Sequence, residues 1–226
     1  MFTTSHDTIY ELEFDMADSS KIIYIGDYDG LYVYSDNLTA DLAIVSGIFQ
    51  VPWRFIQMSC TEIILADAGE YCLKKIDRSI GVVSEFSGVC GNYITSEYAW
   101  PTLNIRVKMY SSHLLVADRR LVRAVDIESG NSSIFAQSSV VRNQIWDMAQ
   151  TENGDIYAMT PSSIYKIDYN SRYVALVAGS ESSEPVDGSL SESRFEDMMD
   201  IELITEHALL AISIRDSAPV LRLVDV

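Results

Sequence analysis

The segment IILADAGEYCLKKIDRSIGVVSEFSG (residues 63–88) contains three short apolar runs: IILAD, LKKID and GVVSEFSG. A fourth run, RFIQMS (54–59), precedes it. The runs are rich in Ile, Val and Leu, and Gly, Ser and Asp separate them. That composition is typical of strands joined by turns. The segment therefore predicts a unit of four short strands.

The same order of runs returns along the whole chain. One run in each copy closes on an aspartate, at intervals of 41–57 residues: Asp36, Asp77, Asp126, Asp168 and Asp225. No segment shows a sustained helical stripe with caps, so we expect helices to be short at most. Four strands repeated at this period are typical of a β-propeller blade. We predict blades at about residues 8–47, 54–88, 104–138, 145–180 and 199–226.

The two ends of the chain bear on how the blades close into a ring. The fifth unit stops after its third strand, and the segment MFTTS (1–5) fits the missing fourth strand. We therefore predict an all-β, single-domain, five-bladed β-propeller in which residues 1–5 complete the last blade. Blades packed face to face bury both apolar faces of each sheet and leave only short edges. The alternative is that the chain is part of a six-bladed propeller.

The repeat motifs resemble the NHL-repeat family of propellers. In that pattern successive strands end in Ala-Asp, Ile-Asp and Ala-Gly, and a loop with Asp-Gly and Arg-Phe follows. The matching positions here are Asp67, Asp77, Asp168, Ala178-Gly179, Asp187-Gly188 and Arg194-Phe195. The resemblance covers all five units, most clearly the second and fourth, although the Asn-His-Leu triplet that names the family is absent. It implies the fold and no single function, because the family includes protein-binding, RNA-binding and enzymatic members.

The charge balance excludes several kinds of partner. The chain has 33 acidic and 16 basic residues among 226, and a formal net charge of −17. Such a chain repels phosphate backbones and anionic lipid headgroups. Since no apolar run reaches 18 residues, insertion into a membrane is not expected either. The partner we predict is a protein or a peptide, with self-association as a further option.

The candidate binding residues lie in loops that a propeller places at the mouth of its central channel. Trp53, Trp100 and Trp146 fall at or just before innermost strands, where they would form an aromatic ring suited to protein recognition. The competing interpretation is that each tryptophan fills a gap between blades. The loops between second and third strands add three charged candidates: Asp67, Arg119 and Arg120.

Signals for catalysis and metal binding are weak. The amidating lyases, whose fold this family resembles, depend on a metal with histidine ligands. The chain has only three histidines, and this scarcity weighs against a similar activity. The aspartates that close the repeats are interpreted as turn residues that accept backbone N–H groups. Calcium held by Asp27, Asp67 and Asp118 at the channel mouth is the weaker interpretation. We predict no cofactor and no metal site.

The function predicted from these features is a non-enzymatic interaction or scaffold module that binds its partner at the channel-mouth face. A metal-dependent lyase or hydrolase at the same face, and a structural component of a larger assembly, are the alternatives. The blade positions allow a disulfide between Cys72 and Cys90 and leave Cys60 free. An odd number of cysteines does not by itself indicate a compartment. By analogy with acidic modules of this kind, a secreted or cell-surface setting is slightly favoured.

Overall fold

The structure of the protein is a computed structural model. It describes residues 9–26, 30–34, 42–46, 49–91, 109–110, 112–180, 185–215 and 218–226. The chain divides into two compact units, Met1–Val107 and Lys108–Val226, which are described in turn. Across the described ranges the regular structure is strand, with no helix that could cross a membrane.

The N-terminal unit contains two antiparallel sheets of four strands, each paired in chain order. Sheet 1 consists of β1 (Ile9–Phe14), β2 (Ile22–Gly26), β3 (Gly30–Tyr34) and β4 (Leu42–Ser46). Sheet 2 consists of β5 (Pro52–Gln57), β6 (Glu62–Asp67), β7 (Cys72–Asp77) and β8 (Val82–Gly88). One apolar cluster joins the facing sides of the sheets, with Ile23, Ile25, Phe55, Ile63 and Leu65 at its centre. Burying these side chains against each other removes apolar surface from water that neither sheet could hide alone.

The C-terminal unit contains three antiparallel sheets, also paired in chain order. Sheet 3 consists of β9 (Met109–Tyr110), β10 (His113–Asp118), β11 (Leu121–Asp126) and β12 (Ser132–Gln137). Sheet 4 consists of β13 (Asp147–Gln150), β14 (Ile156–Met159), β15 (Ser163–Ile167) and β16 (Val174–Gly179). Sheet 5 consists of β17 (Asp200–Thr205), β18 (Ala208–Arg215) and β19 (Ala218–Asp225).

Two apolar clusters hold the C-terminal unit together. The first lies between sheets 3 and 4, where Leu115 and Val122 meet Ile156 and Tyr165. The second lies between sheets 4 and 5, where buried residues of both sheets surround Phe195 from the crossover that joins them. Each of these interfaces therefore buries one face of a sheet against the next, which is the packing the repeats predict.

A β-bulge recurs at the same place in four of the sheets. The pairing between third and fourth strands shifts by one residue near the start of the third strand: at Leu31/Tyr32, Leu73/Lys74, Val122/Arg123 and Ile164/Tyr165. A bulge of this kind bends the strand and increases its twist. Its repetition shows that the sheets are copies of one structural unit.

The fold class is the one predicted from the sequence: five small antiparallel sheets in succession, forming a five-bladed β-propeller. The strand predicted for residues 1–5, as a fourth strand of sheet 5, lies outside the described residues. In the part of the chain that is described, sheet 5 has three strands.

Candidate interaction surface

The turn between β10 and β11 presents two adjacent arginines. Asp118 pairs with Leu121, so Arg119 and Arg120 form a two-residue connection, and both side chains are exposed. Arg119 has a φ of 54°, in the left-handed region that few non-glycine residues adopt. The N–H of Ile145 donates to the carbonyl oxygen of Arg119 at 2.6 Å, which ties the turn to the crossover leading into β13. The two guanidinium groups therefore extend into solvent from a fixed backbone.

The crossover that contacts this turn contains Arg142 and Trp146. Arg142 is exposed, whereas Trp146 is half-buried and packs against the apolar cluster between sheets 4 and 5. The Trp146 N–H donates to the carbonyl oxygen of Met159 at 2.7 Å. Trp146 thus occupies the gap between two blades, as the competing interpretation of the tryptophans holds. Trp146 follows Ile145 directly, so its backbone adjoins the arginine turn.

The other two tryptophans cannot be placed with it. Trp53 lies within β5 by its backbone, and its side chain is outside what the structure describes. Trp100 lies outside the described residues altogether. The aromatic ring at the channel mouth therefore stays a prediction.

Asp67, the acidic candidate of the sequence analysis, is buried in the N-terminal unit. Its carboxylate accepts the N–H groups of Gln50, at 3.1 Å, and Val51, at 2.9 Å. It also pairs with the Lys74 ammonium at 2.9 Å. Burial lowers the pKa of Lys74, but the hydrogen bonds to Glu70 and Asp67 outweigh it and raise that pKa above its usual 10.5. Asp67 therefore anchors the segment before β5, and its contact with a partner stays a prediction.

Asp118 has the same role in sheet 3. It is buried at the end of β10, and its Oδ2 accepts a hydrogen bond from Arg123 Nε at 2.6 Å. Lys74 and Arg123 occupy matching places on their third strands, just after the bulge. In sheet 4 these two places hold Thr160 and Tyr165, whose neutral side chains form no such ion pair.

Three of the aspartates that close the third strands cap turns, as predicted. A serine two or three residues further on donates both its N–H and its hydroxyl to one carboxylate oxygen. The pairs are Asp77 with Ser79, Asp126 with Ser129, and Asp168 with Ser171. Hydrogen bonds from these serines hold the pKa of each aspartate below its usual value.

Cys72 and Cys90 form a disulfide, with their Cα atoms 5.1 Å apart. Cys60 is an exposed free thiol. Among the described residues one group of potential metal ligands lies close together, Glu70 with Cys72 and Cys90, and its two sulfur atoms are bonded to each other. That group is therefore a poor cation site, because the thiolates that bind metals are used up.

An ion pair that was not predicted from the sequence joins the two sheets of the N-terminal unit. Asp15 follows β1 and Arg78 follows β7, and the guanidinium binds both carboxylate oxygens, at 2.6 and 2.7 Å. The Ala17 N–H also donates to Asp15. The Arg78 hydrogen bonds lower the pKa of Asp15 below its usual 3.8, despite its burial. With the partners 63 positions apart in the chain, no local sequence signal could have shown the pair.

Comparison with known proteins supports the fold and goes no further. The chain matches no protein-family model and no curated protein. Among solved structures, an auxiliary nutrient binding protein from Bacteroides thetaiotaomicron is similar over 98% of this chain and 60% of its own length, with a TM-score of 0.69 and 11% identity. A chain in a nidogen/laminin complex is similar over 96% and 80%, with a TM-score of 0.63 and 9% identity.

Two further structures extend this picture. A Bacteroides thetaiotaomicron protein of unknown function is similar over 92% of this chain, with a TM-score of 0.67 and 16% identity, and this chain spans 57% of its length. The β-propeller domain of Cps50 (Swd1) from Myceliophteria thermophila is similar over 91% and 67%, with a TM-score of 0.62 and 11% identity. At these sequence identities the similarity shows the class of fold, a β-propeller, and does not show the function.

Proposed function

We propose that this chain is a non-enzymatic β-propeller module that binds an acidic protein or peptide. Its contact surface is the arginine turn, Arg119 and Arg120, together with the adjoining crossover at Arg142 and Trp146. The observation that carries the proposal is the arginine turn itself: two neighbouring exposed guanidinium groups on a backbone fixed by the Ile145 hydrogen bond.

The chemistry of these groups favours recognition of carboxylates. A guanidinium binds a carboxylate through two parallel N–H donors, which a lysine ammonium cannot do. Within the part of the chain that is described, neither Arg119 nor Arg120 has an ion-pair partner, although the chain is strongly acidic. Arginine and tryptophan are the residues that most often carry binding energy at protein interfaces. A rigid turn also lowers the entropy lost on binding.

Two further observations support a binding module. Among the structural neighbours are a nutrient binding protein and a chain in a protein complex, so this fold serves binding in other proteins. The Cys72–Cys90 disulfide supports a setting outside the reducing cytosol, because disulfides persist in oxidising compartments.

A peptide selection tests the proposal. A random peptide library is selected on the immobilised wild-type chain and, in parallel, on the Arg119→Glu/Arg120→Glu variant. We expect the wild type to enrich peptides rich in Asp and Glu, and the variant to lose that enrichment. The matched control, Lys21→Glu/Lys75→Glu, makes the same change in net charge at two other partly exposed positions. Equal enrichment by all three chains, each with an unchanged thermal midpoint, would reject the arginine turn as the site.

A further inference from the structure

A cavity of about 630 Å³ lies in the C-terminal unit, between β19 and the crossover that precedes β17. The crossover contributes Asp187, Leu190 and Phe195 to its wall, and β19 contributes Arg222. None of these residues belongs to the surface proposed above. The cavity is therefore a separate candidate site, and Arg222 is the one positively charged group among the described residues that line it.

The guanidinium of Arg222 is buried with part of its hydrogen-bonding capacity unused. Its side chain is 7% exposed, and Nη1 donates to the carbonyl oxygen of Arg194 at 2.7 Å. Nη2 lies 3.3 Å from Asp187 Oδ1, a carboxylate that is 71% exposed, but without the geometry of a hydrogen bond. Nε has no hydrogen-bond partner among the described residues. A buried donor left in this state destabilises the fold, and more so when the group is charged.

Sheets 2 and 3 each have an acidic partner for the cation that occupies the position of Arg222. Where a third strand carries a buried cation at this position, the end of the second strand supplies a buried aspartate: Asp67 for Lys74, and Asp118 for Arg123. In sheet 5 Ala211 pairs with Arg222, so Ser213 stands where the aspartate would be. Ser213 is buried, and its hydroxyl has no hydrogen-bond partner in the described part of the chain. Sheet 5 therefore has the cation found in sheets 2 and 3, with a serine in place of their aspartate.

We propose that this cavity binds a small monocarboxylate, which supplies the anion that sheet 5 lacks. The ligand carboxylate takes the place of the Asp187 side chain beside Nη2 and Nε of Arg222. Leu190 and Phe195 contact the apolar part of the ligand. Asp187 and Asp225 also line the cavity, so a second negative charge on the ligand would be repelled. The site therefore selects monocarboxylates over phosphate and dicarboxylates.

Titration with sodium butyrate at constant ionic strength tests the proposal, with sodium chloride as the reference salt. We expect butyrate to raise the thermal midpoint of the wild-type chain, because a ligand that binds only the folded state stabilises it. It should also shift one arginine Nε–H proton signal, the one that the Arg222→Met variant lacks. In the Ser213→Asp variant an internal carboxylate meets Arg222, so the midpoint without butyrate should rise and the affinity should fall by about tenfold or more.

Two controls sharpen the outcome. The Asp187→Asn variant removes the competing carboxylate and should bind butyrate more tightly than the wild type. Inorganic phosphate should bind more weakly than butyrate. The proposal is overturned if no arginine Nε–H signal of the wild type moves with butyrate, if phosphate binds more tightly, or if Ser213→Asp binds butyrate as the wild type does. Should Arg222→Met fail to fold, the shifted signal must persist in the Arg119→Glu/Arg120→Glu variant, because the exposed arginine turn could otherwise produce it.

Discussion

Removing the Arg78 side chain should destabilise the protein far more than removing any exposed charge. Asp15 and Arg78 form a two-point ion pair, with side chains 2% and 13% exposed. In Arg78→Ala the Asp15 carboxylate stays buried and keeps the Ala17 N–H as a donor. Removing one partner of a buried pair reduces the free energy of unfolding by about 3–5 kcal/mol. Because Arg78 is partly exposed, we expect a loss at the lower end, about 3 kcal/mol.

Urea unfolding followed by fluorescence measures this loss. The matched control is Lys21→Ala, which breaks an exposed pair with Asp18 at 3.2 Å and should change the free energy of unfolding by less than about 1 kcal/mol. Equal effects of the two substitutions would refute the reasoning, because they would show that the Asp15–Arg78 pair is as well hydrated as a surface pair. A loss of about 3 kcal/mol is a large part of the stability of a typical domain.

Three more predictions follow from the described contacts. Because the pKa of Asp15 is lowered in the folded state, its stabilisation is complete above about pH 5 and is lost as the pH falls through that lowered value; the stability gap between wild type and Asp15→Asn should therefore close below pH 3.8. A gap that did not narrow at all between about pH 5 and pH 2 would contradict this. Cys90→Ser opens a disulfide that spans 18 residues and should reduce the free energy of unfolding by about 3 kcal/mol, whereas an unchanged urea midpoint would show that the link adds nothing. Gly179→Ala should lose about 2–4 kcal/mol, since its new Cβ would overlap the Ser162 carbonyl oxygen at a φ of +92°, while Gly81→Ala, which meets no atom, should lose only about 1 kcal/mol. Similar losses in both, measured by thermal unfolding, would argue against the overlap.

The strands were predictable because their signal is local. Short runs of Ile, Val and Leu between turn residues mark almost every strand, and the repeat period then gives the fold class. Strand boundaries that depend on contacts between sheets were harder to predict from the sequence. The fourth blade is predicted to begin at about residue 145, but β13 begins at Asp147, because the Ile145 N–H donates to the Arg119 carbonyl oxygen in the neighbouring sheet.

The candidate site was predictable only in part, since burial depends on neighbours that the sequence does not name. Arg119 and Arg120 are exposed, as a two-residue turn implies. Asp67 resembles a loop residue in the sequence, yet the Gln50 and Val51 N–H groups and Lys74 enclose it. The spacing of an aspartate and a cation across one short hairpin, as in Asp67 and Lys74, was the signal that could have revealed its structural role.

The Cys72–Cys90 link has a mechanical consequence. It ties the start of β7 to the residues just after β8, so it closes this hairpin at the end opposite its turn. If the molecule were stretched from its ends, these 18 residues would not extend, and the released contour length would be shorter by about 60 Å. Force spectroscopy with and without a reductant measures that difference directly. Under mechanical force, the loop between Cys72 and Cys90 in the second blade would therefore keep its length after the neighbouring blades had unfolded.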